Sequence, residues 1–153
     1  MKIVNLKDEP ENLSTLASWH QDEWSHLNPG EDLTARILRM QPHLSDELIP
    51  STFVAKDDVL LGSAAIVDQD MKTEPQLKPW LASVFVRPEY RKQGIGRKLV
   101  LHVMAQAQAA HIGRLYLYTP DKTGFYLKLG WSILEQRQYQ NHEVIVMQVN
   151  LNV

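Results

Sequence analysis

The run Trp80-Leu81-Ala82-Ser83-Val84-Phe85-Val86 is almost wholly apolar and reads as a strand buried on both faces. Such a strand needs a layer of helix above the sheet and another below it. The chain supplies both. Ile95, Leu99, Val103 and Ala107 stand four apart, with Val100, Met104 and Ala110 beside them, so a long helix follows the strand, with Gly113 as its expected end. Upstream, Leu13, Leu16, Ala17, His20 and Trp24 recur at helical spacing. Asp8-Glu9-Pro10-Glu11 reads as the capping box of that helix, and Asn28-Pro29-Gly30 as its stop. A second helix is expected from Asp32 to Met40, with Leu33, Ile37 and Met40 inward, until Pro42.

The remaining apolar runs are strands. Ile3-Val4-Asn5-Leu6 is one; Thr52–Ala55 and Leu60–Val67 form a hairpin about Asp57-Asp58. Pro75 and Pro79 bracket a loop before the buried strand. Leu115–Tyr118 is a further strand, a short helix covers Lys122 to Leu129 before Gly130, and two strands follow near Trp131–Arg137 and Glu143–Leu151. The order βααβββαβαββ predicts an α/β (α+β) fold: a mixed central sheet of seven strands with helices on both faces. A length of 153 residues suits one domain over 1–153.

Several chemistries are excluded by what is missing. With no cysteine there is no disulfide framework, thiolate metal site or cysteine nucleophile. The six histidines never fall in metal-ligand spacing, so no metal is expected. No run approaches the ~20 apolar residues of a membrane span, and Met1-Lys2-Ile3-Val4-Asn5 lacks a signal-peptide core, so a cytoplasmic setting without a membrane partner is expected. A net charge of −2 gives no broad basic face for nucleic acid. Charge is nevertheless uneven. Residues 1–35 hold seven acids against Lys2 and Lys7, while 87–98 hold five bases against Glu89, so one end suits a cation and the middle an anion. Solvated faces are the plainer reading of both.

The basic stretch is Arg91-Lys92-Gln93-Gly94-Ile95-Gly96-Arg97-Lys98, between strand and helix. Glycines let the backbone turn sharply and approach a ligand, and free amides at a helix N-terminus attract anions. A diphosphate fits this arrangement, as does a plain turn with solvated bases. A nucleotide P-loop would need Lys-Ser/Thr after the glycines, and a Rossmann fingerprint a third glycine where Leu99 stands; neither is present.

Val84-Phe85-Val86-Arg87-Pro88-Glu89-Tyr90 followed by Arg91-Lys92-Gln93-Gly94-Ile95-Gly96 resembles motif A of the GNAT superfamily of acetyl-CoA-dependent N-acetyltransferases, Arg/Gln-x-x-Gly-x-Gly/Ala. Phe125-Tyr126-Leu127-Lys128-Leu129-Gly130-Trp131 is similar to its Phe-Tyr-x-x-x-Gly-Phe signature, with Trp131 for Phe. The two blocks and the element order cover roughly residues 52–150. Trp19-His20-Gln21-Asp22-Glu23-Trp24, Arg36 and Thr119-Pro120-Asp121 resemble small bacterial members of unassigned substrate and, more weakly, the eukaryotic actin N-terminal acetyltransferase.

The resemblance implies acetyl-CoA as co-substrate. Its pantetheine would lie along the backbone of Val84, Phe85 and Val86, and its diphosphate on the amides of Lys92 to Arg97, with Arg91 and Lys98 adding charge. Tyr126 matches the tyrosine that protonates the departing thiolate. The acceptor would be the primary amine of a small molecule or peptide N-terminus, and the absence of Gly-x-Ser-x-Gly favours direct transfer. For the base, Glu23 and His20, which share a face of the first helix, and Asp68, Asp70 and Tyr118 are candidates. The acceptor is expected to be a cation entering on the acidic N-terminal side, with Glu23 the preferred residue because it lies one turn after His20 and adjoins Trp24. Trp19, Trp24 and Trp80 either wall a cleft or pack in the core. A non-catalytic acetyl-CoA-binding regulatory module is the alternative function, and a homodimer is left open as the assembly.

Overall fold

Alternation along each strand assigns its side chains to one of two helical layers. The computed structural model describes residues 1–27 and 29–152. Its strands are β1 (Lys2–Asn5), β2 (Ser51–Lys56), β3 (Leu60–Val67), β4 (Trp80–Val86), β5 (Arg114–Thr119), β6 (Ser132–Tyr139) and β7 (His142–Asn150). The helices are α1 (Leu13–Trp24), α2 (Leu33–Met40), α3 (Ile95–Ala109) and α4 (Thr123–Leu127), so the expected order βααβββαβαββ is found. The strands form one sheet in the order β1-β2-β3-β4-β5-β7-β6, with β4–β5 the parallel pair and the rest antiparallel. Phe53, Ile66, Leu115, Leu117, Met147 and Val149 face α3 and pack on Leu99, Val103 and Ala107. On the other face, Val54 meets Leu13, Leu16 and Met40 of α1 and α2, and Trp80, Val144 and Val146 form a separate cluster with Met71. No helix among the described residues is long and apolar enough to cross a membrane.

The buried strand is less regular than its sequence implies. Ser63 pairs with Phe85, but Ala65 pairs with Ala82, so Ser83 and Val84 oppose a single residue of β3. Ser83 takes up the extra length in the left-handed region, at φ 53°. Because side chains alternate, this bulge reverses the parity of β4. Leu81, Val84 and Val86 all reach the α3 layer, while Phe85 turns under α1.

Helix ends account for the other departures. Asp8 and Glu11 form no capping box. A 3-10 turn at Pro10–Asn12 occupies that position, and Glu9 is drawn off to Lys56 Nζ at 2.8 Å and Asn12 Nδ2 at 3.1 Å. Asp32 does cap α2, accepting from Ala35 N at 2.8 Å. The register so set sends Leu33 outward, 39 % exposed, and buries Arg36 with Met40 one turn later. Of the expected α1 stop, Asn28 lies outside the described residues; α1 ends at Trp24 and continues as a 3-10 turn over Ser25–Leu27. At the end of α4, which is shorter than Lys122 to Leu129, the chain turns at Gly130.

Gly113 does not stop α3. His111, at φ 62°, is the left-handed residue, and the bonds Ile112 N to Ala107 O and His111 N to Gln108 O close a Schellman motif. Ala110 is left exposed just past the helix. Gly113 instead accepts from Leu151 N at 2.8 Å, and a Cβ there would strike Asn152. Relief of the left-handed strain by His111→Gly is expected to stabilise the fold by about 0.5–1 kcal/mol, a rise of roughly 1–4 °C in a thermal melt. A lower melting temperature would mean that the imidazole makes a compensating contact.

Candidate active site

The chain leaves β4 through Arg87 and a short turn at Pro88–Tyr90, then enters α3. Lys92 and Gly94 are both left-handed, at φ 66° and 82°, on either side of Gln93. That alternation turns successive amides toward one concavity. Gly94 precedes the helix and brings no side-chain cap, and the first helical bond runs from Lys98 N to Gly94 O. The amides of Ile95, Gly96 and Arg97 are therefore left for another partner. A Cβ at Gly96 would meet Val86 Cγ2 at 3.6 Å and Phe125 Cζ at 3.7 Å, ordinary contacts. The protein's own packing does not demand a glycine there; close approach of a ligand would. Lys92, Arg97 and Lys98 stand exposed around this opening. The arrangement can hold an anion of several charges.

Arg91 takes a different course. Its Nε donates to Val86 O at 2.7 Å, its guanidinium lies 5.5 Å from the Phe85 ring centre, and its Nη2 stands 3.6 Å from Glu23 Oε1. The side chain ties the end of β4 to α1. Phe85 itself is enclosed by Trp19, His20 and Trp24, with ring centres 5.9–6.0 Å away. Only its backbone can face a ligand. That backbone is available on one side, because β4 and β5 register at a single pair, Trp80 with Tyr116, and then part. Val84 to Val86 therefore have no ladder partner on the β5 side among the described residues.

Beside the start of α3 lies α4, with Phe125 against Gly96. Tyr126 follows and is 7 % exposed. Its carbonyl accepts from Trp131 N at 3.2 Å, Gly130 N bonds Leu127 O, and Gly130 is left-handed at φ 95°. This is again a Schellman motif, with Tyr126 and Trp131 at its two hydrophobic positions and their rings 6.1 Å apart. The spacing Phe-Tyr-x-x-x-Gly-Trp is thus a helix-ending device that fixes the tyrosine. Burial, and then the Asp121 carboxylate, push the phenol further above its ordinary range. It keeps its proton at neutral pH.

On the α1 side of the sheet, a cavity of about 60 Å³ is lined by His20, Arg36, Arg39, His43, Asp70 and Ser83, among others. Its floor is braced by a short relay. Ser63 Oγ donates to Ser83 O at 3.1 Å and lies 2.9 Å from His20 Nε2. Since the hydroxyl proton goes to Ser83, His20 must be the donor through Nε2–H, which leaves Nδ1 as an acceptor. Burial, then the charges of Arg36 and Arg39, lower His20 to about 3, so it stays neutral. Burial likewise lowers His43 to about 4, and pushes the Asp70 carboxyl up to about 6 against the pull of Arg39. Tyr118 is raised by burial and by Asp70.

The structure thus brings together Gly96 of the α3 turn, Val86 of β4 and Phe125 of α4, beside Tyr126, and separately His20, Asp70 and Ser83. Glu23 does not line the cavity; it stands by Arg91. Trp80 is fully buried in the core. The burial of Arg36, which entered the sequence reading only through the resemblance, and the Ser83 bulge were not anticipated. For Arg36 a signal existed, since it lies four residues before the inward Met40. The bulge left none, because Ser83 reads as one more position of an apolar run.

Comparison with known proteins gives the same architecture. The family model for the acetyltransferase (GNAT) family matches residues 13–131. An amino-acid acetyltransferase of Vibrio cholerae is 24 % identical over 106 residues, 69 % of this chain. The chain spans only 23 % of that protein's length. An aminoglycoside 6'-N-acetyltransferase solved with coenzyme A superposes with a TM-score of 0.75 at 19 % identity, covering 100 % of this chain and 98 % of that one. A ribosomal-protein-alanine N-acetyltransferase of Brucella melitensis gives 0.74 at 16 % identity, covering 98 % and 99 %.

Proposed function

The chain belongs to the acetyltransferase (GNAT) family, and from that premise we propose that it transfers an acetyl group from acetyl-CoA directly to a primary amine, with Tyr126 as general acid. The acceptor is a small molecule or a peptide N-terminus. The observation that supports this reading is the packing of α4 on the first turn of α3, where Phe125 meets Gly96 and the buried, protonated Tyr126 is the next residue in the chain. The amides of Lys92 to Arg97 take the diphosphate, and Val84 to Val86 the pantetheine. The acceptor, once neutral, attacks the thioester carbonyl. The new C–N bond forms, the C–S bond breaks, and the CoA sulfur takes the Tyr126 proton as it leaves. The proton lost by the amine passes to a base, for which Glu23 and Asp70 are the candidates; Asp70 lines the α1-side cavity.

Calorimetry with acetyl-CoA tests the cofactor end. At Gly94 a Cβ would meet nothing within 4 Å, but φ is +82°, so Gly94→Glu places a carboxylate among the phosphates at the cost of some backbone strain, and Gly94→Asn, which bears that strain without the charge, is its control. Like-charge juxtaposition there should weaken acetyl-CoA binding by at least ~100-fold. Unchanged affinity in a folded variant would remove the Lys92 to Arg97 amides from the mechanism.

A further inference from the structure

Arg36 lines the α1-side cavity and carries an unanswered donor. It is 4 % exposed, and its Nη2 is buried without a hydrogen-bond partner among the described residues. Its Nε donates to Gln21 Oε1 at 2.9 Å, and Gln21 is held in turn by Nε2 donating to Glu31 O at 2.8 Å. A neutral amide therefore orients the guanidinium. The Glu31 carboxylate is 3.7 Å from Arg36 Nε and gives its close contact, 2.8 Å, to Arg39. Two arginines thus share one carboxylate. Both line the cavity, whose two histidines are neutral and whose remaining charge is Asp70.

A buried guanidinium with a free N–H loses the hydration of that donor unless something accepts from it. The group that matches its planar fork is a carboxylate. We propose that this cavity takes an acceptor amine that also carries a carboxylate, the carboxylate on Arg36 and Arg39 and the amine facing Asp70. The proposal rests on the acetyltransferase reading and names its substrate class. Of the seven acids in residues 1–35, three are held in ion pairs. Glu9 is engaged by Lys56, Glu31 by Arg39, and Glu23 by Arg91.

Two sources supply that chemistry: free amino acids, and peptides with an acidic first residue. CoA release with acetyl-CoA is measured for each amino acid against its amide, and for Asp- or Glu-headed peptides against Asn- or Gln-headed ones. In at least one pair the carboxylate member should have a kcat/KM at least ~30-fold higher, because its loss leaves buried charge unpaired. The pair that responds names the source. Arg36→Gln should raise the acceptor KM by at least ~10-fold and leave the acetyl-CoA KM unchanged. Should that variant not fold, the more exposed Arg39→Gln serves, with an expected rise of about 3- to 10-fold. Equal rates within every pair would overturn the anion site, give Arg36 a bound water as partner, and leave the transferase reading standing. Saturable binding of a carboxylate-bearing amine by calorimetry, with no CoA release from any amine, would keep the site and overturn the transferase reading. Neither binding nor release would overturn both.

Discussion

Tyr126→Phe is expected to lower kcat by about 10- to 10⁴-fold while acetyl-CoA affinity changes by less than about twofold. The substitution removes one oxygen and little else. The ring of residue 126 is held by its neighbours Phe125 and Trp131, at centroid distances of 4.9 and 6.1 Å, and its backbone by the Schellman bonds of Gly130 and Trp131. None of these contacts uses the hydroxyl. What is lost is a proton donor kept protonated by burial and by Asp121. A thiolate leaving without that proton must depart as a bare anion into a poorly hydrated cleft, which is why the expected loss falls on the chemical step and not on binding. Steady-state and single-turnover rates together check this. A wild-type rate of acetyl transfer, with chemistry shown to limit turnover, would assign the proton to another group.

The architecture was legible because its signals are repetitive. Four-residue recurrence along Ile95, Leu99, Val103 and Ala107 is enforced over a whole helix, and each of those residues is buried as expected. The alternation of Leu115, Leu117 against Tyr116, Tyr118 is similarly enforced by two different layers. The turn before α3 was legible for another reason: its shape lies in the backbone, so glycine and helix position suffice to locate it. Side-chain sites have no such redundancy. Arg36 looks like any solvated arginine until the cap at Asp32 sets the register of α2 and turns it inward. Glu23 shares a helical stripe with His20, yet a residue from a distant loop, Arg91, claims its carboxylate. Ser83 shows the limit most directly. One inserted residue at φ 53° decides which face Phe85 occupies, and only the pairing partner, Ser63, reveals it.

The same relay that fixes Ser83 makes the fold acid-sensitive. His20 titrates near 3 and His43 near 4 in the folded protein, against about 6.5 for histidine in an unfolded chain. Between those values the unfolded chain binds protons that the folded one refuses, so stability is fully present above about pH 6.5 and is lost as pH falls through this window. His20 alone accounts for roughly 2 kcal/mol at pH 5, and the half-buried His43 for a smaller amount. Asp70 works in the opposite direction. Its folded value near 6 exceeds the unfolded 3.8, so the folded state takes up its proton first and gains about 1 kcal/mol by pH 5. The net expectation is a loss of about 2 kcal/mol between pH 7 and 5, a large share of the ~5–15 kcal/mol that holds such a domain together. Urea midpoints across that range measure it directly. His43 Nδ1 lies 2.8 Å from Thr52 Oγ1, a contact that a glutamine amide can imitate, so His43→Gln should flatten part of the slope without unfolding the protein. Stability that is level from pH 7 to 5 in the unmodified chain would mean that His20 accepts its proton inside the fold, and the Ser63–Ser83 brace would then have to hold beside an imidazolium.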